Sequence, residues 1–153
     1  MNQMKYKYQG KLNGTTINFF KLGIALYLIL LFAYTGFSKL IDTNALFTTL
    51  RNAPLFFTEH TADILSWLIP LGEIGIAGAI IFEDFRKIGL LSSVILLSLF
   101  TAYTLWIVFI SPYEPCTCGG ILSLLSWKQH LLLNTISLVL ATTGLYFEKN
   151  KKL

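Results

Sequence analysis

"IGLLSSVILLSLFTAYTLWIVFI", residues 88 to 110, runs for 23 residues without a charged side chain. About 20 apolar residues of helix are needed to cross a hydrocarbon core, so this stretch reads as a transmembrane helix and sets the class of the whole chain. Three other stretches follow the same rule. Leu22 to Ser38 and Leu131 to Phe147, 17 residues each, carry no charge, and Ile64 to Phe82, 19 residues, carries only Glu73. The two shorter runs are extended into the headgroup zone by neighbours such as Phe19, Phe20 and Leu40. Composition agrees: 54% hydrophobic and 13% charged residues over 153 positions, with a mean hydropathy of +0.63, lie far from soluble averages. The expected fold is all-α: one membrane domain over 1–153, a four-transmembrane-helix bundle with spans at about 19–40, 62–82, 88–110 and 129–147, and short extracytoplasmic interfacial helices.

Basic residues orient the bundle, because positively charged loops translocate poorly. Lys5, Lys7, Lys11, Lys21, Arg86, Lys87, Lys149, Lys151 and Lys152 fall on one side, and only Lys39, Arg51 and Lys128 on the other. Nine against three predicts both termini in the cytoplasm, as tails over 1–18 and 148–153 of a bacterial inner-membrane protein, with Cys116 and Cys118 facing the periplasm. The opening "MNQMKYKYQGKLNGTTINFF" lacks a small-residue cleavage site and reads as a retained tail. The net charge of +4 is accounted for by segments that orient the chain and touch anionic lipid. No basic stripe with interleaved aromatics appears in a soluble segment, so nucleic acid is not an expected partner.

The connections differ in character. "LIDTNALFTTLRNAPLFFTEHTAD" joins the first two spans, and Leu46, Phe47 and Leu50 at helical spacing predict a short interfacial helix before a break at Pro54. "EDFRK" is a tight hairpin. Within span two, Gly72, Gly75 and Gly78 recur at intervals of three and read as a helix-packing seam. The last connection, "SPYEPCTCGGILSLLSWKQH", stops the third helix at Pro112 and Pro115 and permits a sharp turn at Gly119 and Gly120. It then runs apolar into span four as a short interfacial or re-entrant helix, with Trp127 and Lys128 at headgroup level.

That last connection holds both cysteines of the chain, Cys116 and Cys118. A disulfide stabilises largely by closing a loop in the unfolded chain, and a loop with one intervening residue offers almost none of that. Bonded cysteines prefer Cα atoms about 5.5–6 Å apart, whereas an extended i,i+2 pair is nearer about 7 Å. A bent, exposed disulfide is the readily reduced kind. Cys118 also precedes an expected helix start, whose partial positive charge lowers a thiol's pKa. Redox-active exchange is the leading reading. A soft-metal site for copper(I) or zinc is a second, although no further Cys or His pair accompanies it, and a purely structural turn is a third.

Two other residues are candidates for a role. His130, twelve residues after Cys118, can shuttle a proton to or from the thiols or simply bond to backbone at the interface; Asn134 lies one turn below it on the same face. Glu73 lies mid-membrane, where an ionisable group is costly unless paired or protonated. Its expected partners are Lys39 or a hydroxyl such as Tyr34 or Tyr103, and Lys39 reads as lying too close to the outer membrane surface for direct contact unless a cavity lets it bend inward.

"GFSKLID" at 36–42, "PLGEIGIAG" at 70–78 and "PCTCGGILSLLSWKQHLLLN" at 115–134 resemble the DoxX-like, MauE-type redox-associated membrane proteins of bacteria over about Phe19 to Phe147. The resemblance implies a four-helix bundle related in architecture to the DsbB and vitamin K epoxide reductase type of quinone-linked disulfide enzymes. It also implies maturation of disulfide-rich periplasmic proteins, often beside a thioredoxin-like partner. Two departures stand out. Gly119-Gly120 follow the C-x-C where many such families have a Phe-Gly-type turn, and two cysteines in total leave no internal pair to relay electrons.

The expected function is therefore a membrane thiol–disulfide oxidoreductase, exchanging electrons between an extracytoplasmic thioredoxin-like or cysteine-containing partner and a membrane acceptor, with quinone the implied cofactor and no metal. Cys118 is the favoured attacking thiol and Cys116 the resolver, with Glu73 and His130 as catalytic candidates and Glu73, Trp127 and Asn134 as candidates for touching the cofactor. The alternatives are a non-enzymatic subunit that anchors or stabilises an envelope complex, with C-x-C as a brace, and a metal-handling protein.

Overall fold

Lipid offers the backbone no hydrogen-bond partner, so each apolar run must satisfy its N–H and C=O groups internally, as a helix. The computed structural model describes residues 2–52, 58–110 and 126–149, with side chains from residue 18 onward, and among these the chain is helical with no strand. The helices are α1 (Asn2–Ile41), α2 (Thr43–Arg51), α3 (Glu59–Ile81), α4 (Arg86–Phe109) and α5 (Trp127–Lys149). Four segments are long and apolar enough to cross a membrane: Asn18–Ile41, Glu59–Ile81, Arg86–Phe109 and Trp127–Lys149. Each reaches a few residues past the charge-free run that announces it, because polar end residues still close helical hydrogen bonds. For the same reason the basic N-terminal stretch, expected as a tail, continues the helix of span one back to Asn2.

Local chemistry sets the helix starts. Asp42 breaks α1 from α2 and caps α2, its Oδ1 accepting from the Ala45 N–H at 3.0 Å. Thr58 caps α3, accepting from the Thr61 N–H at 3.3 Å; side-chain oxygens at this position satisfy donors that the first turn leaves open. Between α3 and α4 the hairpin closes over four residues, with the Phe85 N–H donating to the Phe82 carbonyl at 3.2 Å. Inside the spans, buried hydroxyls turn back onto their own helix: Ser93 to the Gly89 carbonyl, Thr101 to Leu97, Thr104 to Phe100 and Ser137 to Leu133.

The four long helices form a ring in which α1 packs most extensively on α3 and α4 on α5, with α3 against α4 and a slighter α1–α5 contact closing it. Leu28, Phe32, Ala77, Ile80, Leu90, Leu97 and Ala141 form the buried centre. Tyr27 and Ser137 share a 2.8 Å hydrogen bond across the α1–α5 contact. α2 lies against the start of α3, burying Leu46 and Leu50 on Ala62 with Leu65 and Ile69 beside them. The bundle thus has two ends: an α2 end, where α1 finishes and α3 begins, and a hairpin end, where α3 turns into α4.

Because lipid tails solvate apolar side chains well, close packing at small residues drives helix association in a membrane. The glycines that serve this are Gly36, Gly89 and Gly144. A Cβ on Gly36 would stand 2.8 Å from Ile74 Cγ1 and 3.0 Å from the Pro70 carbonyl oxygen of α3; one on Gly89 would meet the Ile80 backbone nitrogen at 2.9 Å. Gly72, Gly75 and Gly78, expected as the seam, have no atom within 4 Å of such a Cβ. Their spacing of three does define one small-residue face of α3, but no other described helix packs closely on that face.

Gly36→Ala should therefore lower unfolding stability by on the order of 1–3 kcal/mol through overpacking, whereas Gly75→Ala should leave it within about 0.5 kcal/mol. Thermal or denaturant unfolding of the purified protein in detergent measures both.

Candidate functional site

Glu73 is 1% exposed, inside the bundle. The Lys39 ammonium of α1 donates a hydrogen bond to Glu73 Oε1 and forms an ion pair with it. It also lies 4.9 Å from the centre of the Phe100 ring of α4, a distance at which the ring's negative face attracts a cation. Thr35, a buried hydroxyl one turn before Lys39, stands beside the carboxylate. One ion pair thus joins α1 to α3 and leans on α4.

The sequence reading set Lys39 too far out for this contact, and the structure corrects it. α1 and α3 run antiparallel with Gly36 opposite Pro70, Glu73 and Ile74. α3 extends past the end of α1 beneath the cover of α2, so the middle of α3 lies level with the last turns of α1. Lys39 stands one turn beyond Gly36, and its flexible stem covers the remaining distance. The glycine removes the side chain that would hold the helices apart, and the lysine then fills the polar need of Glu73.

Glu73 Oε2 accepts no hydrogen bond among the described residues. A buried carboxylate oxygen in that state can take a proton or a hydrogen-bond donor. Breaking such a pair leaves an uncompensated charge, whereas removing both charges together is far milder.

A second group lies at the α2 end, where α5 starts. The Ser126 N–H donates to Gln129 Oε1 at 2.8 Å and the Gln129 N–H donates to Ser126 Oγ at 3.4 Å, a reciprocal cap that fixes the first turn. On that turn Trp127 meets Tyr103 of α4 edge-on, with centroids 6.3 Å apart, and His130 at 5.9 Å. His130 Nδ1 lies 3.3 Å from the Ser126 carbonyl oxygen, so the backbone contact foreseen for this histidine is present. Tyr103 follows Phe100 by three residues on α4. Phe100, beside the Lys39 ammonium, and Tyr103, against Trp127, thus stand one turn apart on α4.

Of the expected site residues, the structure gathers Glu73 with Lys39, and Trp127 with His130. Asn134 is half-buried one turn further along α5. Cys116 and Cys118, the expected re-entrant helix before Trp127, and the break at Pro54 lie outside the described residues. Sequence reasoning missed Gly36 and Phe100. The signal for Gly36 was available: "GFSK" and "PLGE" each space a close-packing residue and a charged one by three, which sets both on one helical face.

The family model described as methylamine utilisation protein MauE matches residues 17–147, and the chain belongs to that family. No curated protein and no solved structure matches it.

Lys39→Met or Glu73→Gln alone should destabilise the fold by about 3–5 kcal/mol, and the double variant Lys39→Met/Glu73→Leu should recover most of that loss. A double-mutant cycle on unfolding in detergent reads the coupling.

Proposed function

We propose that this membrane protein of the MauE family is a thiol–disulfide oxidoreductase, in which Cys116 and Cys118 exchange a disulfide with a thioredoxin-like or other cysteine-containing protein on the periplasmic side. The observation that carries the reading is the position of the C-x-C in the chain, between the end of α4 and the start of α5. At the start of α5, which follows the C-x-C in the chain, His130 and Trp127 stand against Tyr103 of α4, three residues from the Phe100 ring beside Lys39.

In the reducing direction the Cys118 thiolate attacks the partner's disulfide, forming a mixed disulfide as one partner sulfur leaves as thiolate. The Cys116 thiolate then attacks Cys118 Sγ, releasing the second partner sulfur and leaving Cys116 and Cys118 joined. Two electrons pass to the partner, and the protons shed by the two thiols end on its two sulfurs. The oxidising direction is the reverse and delivers two electrons to this chain. His130, its Nδ1 turned to the Ser126 carbonyl, would take or return a thiol proton at Nε2.

With only two cysteines, the electrons need an acceptor or donor of another kind, and the residues around Glu73 fit a quinone. They offer an ammonium donor, a carboxylate oxygen without a partner among the described residues, and the Phe100 ring. When bound, a quinone would supply a two-electron, two-proton couple. Glu73 would hold or release a proton at Oε2, Lys39 would fix the carboxylate through Oε1, and the apolar helix faces would exclude water. Trp127 and Asn134 are the further candidates for contact.

One observation favours a second reading, a membrane subunit that anchors a larger complex: among the described residues, nothing lies within 4 Å of a Cβ built on Gly72, Gly75 or Gly78 of α3. Replacing both cysteines by serine separates the two, since an anchor would still support its complex.

Cys116→Ala should accumulate a covalent adduct with the partner through Cys118, removed by reductant and absent from Cys116→Ala/Cys118→Ala. Non-reducing gels and mass spectrometry of membranes from the native host read it. Absence of any adduct in both single variants would remove the exchange chemistry.

A further inference from the structure

At the hairpin end, opposite to the ion pair, α1, α4 and α5 line a cavity of about 350 Å³, within the about 300–1,000 Å³ typical of small-molecule sites. Its wall carries Lys21, Arg86, Glu83 and Glu148, and its floor is apolar, with Ile24 and Leu90. Gly144 makes the floor possible: a Cβ there would stand 3.0 Å from Ile24 Cγ2. We infer that this cavity binds the headgroup of a zwitterionic phospholipid bearing a primary ammonium beside its phosphate.

Four observations carry the assignment. First, the charged groups are held near one another without satisfying one another. Lys21 Nζ is 3.9 Å from Glu148 Oε2, and Arg86 Nη1 is 3.8 Å from Glu83 Oε1. Both separations exceed the about 2.7–3.2 Å of an N–H···O hydrogen bond, so all four groups keep capacity for another partner. Second, Arg86 is oriented in advance, its Nε donating to the Ile80 carbonyl at 3.2 Å, which leaves its terminal nitrogens for an anion. Third, the charge is balanced, two cations against two carboxylates. A purely anionic headgroup would meet both carboxylates, whereas a zwitterion sets phosphate on Lys21 and Arg86 and ammonium on Glu148 and Glu83. A primary ammonium donates hydrogen bonds to a carboxylate; a trimethylammonium cannot.

Fourth, depth and access agree with a lipid. Lys21 and Glu148 lie in the terminal turns of the spans Asn18–Ile41 and Trp127–Lys149, and Arg86 opens Arg86–Phe109. Lys21, Glu148 and Arg86 are mostly enclosed while Glu83 stands at the rim, 79% exposed. Leu22 lines the cavity and is itself 56% exposed, so an acyl chain leaving the headgroup meets an apolar side chain. This assignment stands apart from the thiol chemistry proposed above.

The test uses the purified full-length protein in detergent, supplied with dihexanoyl-phosphatidylethanolamine, the corresponding phosphatidylcholine and phosphatidylglycerol, or soluble glycerophosphoethanolamine. Thermal unfolding and native mass spectrometry are the readouts. The ethanolamine lipid should raise the midpoint at concentrations at least about five-fold below those needed by the other two lipids, and the chain-free compound should do little. Arg86→Gln and Glu148→Gln should each weaken that response about ten-fold. Equal response to all three lipids, preference for the anionic one, or variants that respond like the parent would overturn the assignment, and full response to glycerophosphoethanolamine would overturn its lipid character. Should a variant fail to fold, the lipid order measured on the parent protein decides alone.

Discussion

The Lys39–Glu73 ion pair is the constraint around which the bundle is arranged. A carboxylate 1% exposed within a membrane span is tolerable only if its charge is answered inside the protein, and here the answer comes from a different helix. That requirement fixes how far α1 slides along α3, because only one axial offset brings a residue three from the end of α1 to the middle of α3. Gly36 and Pro70 supply the close approach, and Phe100 brings α4 under the same cation. Packing, register and the candidate proton site are therefore set by the same few residues.

The remaining contacts follow from the solvent. Without a hydrophobic driving force between helices, shape decides, and Gly36, Gly89 and Gly144 stand where α1 meets α3, α4 meets α3, and α5 meets α1 and α4. Hydroxyls that would be costly in hydrocarbon are returned to carbonyls of their own helix. Polar groups that instead reach between elements carry information by their positions, among them Lys39 with Glu73, Tyr27 with Ser137, and the four charged groups of the hairpin end.

Much of the fold was legible in the sequence because hydropathy reports directly on the transfer of each segment into lipid, and the four spans and the amphipathic α2 were visible that way. The partner of Glu73 was not, although Lys39 was among its candidates. Depth along one helix can be counted from its ends, but the offset between two helices depends on which small residues meet, and a single chain's periodicity does not reveal that. The glycines of α3 teach the same lesson. A spacing of three shows that Gly72, Gly75 and Gly78 share a face, but it does not say where the face points. The cysteines are legible through their spacing and their place in the order of the chain.

α5 is the least enclosed of the long helices, tied mainly to α4 and reaching α1 through a thin polar seam that includes Tyr27–Ser137 and Lys21–Glu148. Synthesis delivers the N-terminal part first. Every residue of the Glu73 centre, from Thr35 to Phe100, leaves the ribosome before the segment with the two thiols, and α5 comes last. The Lys39–Glu73 contact can thus form before the two cysteines have been made, and α5 then docks onto a helix surface already in place.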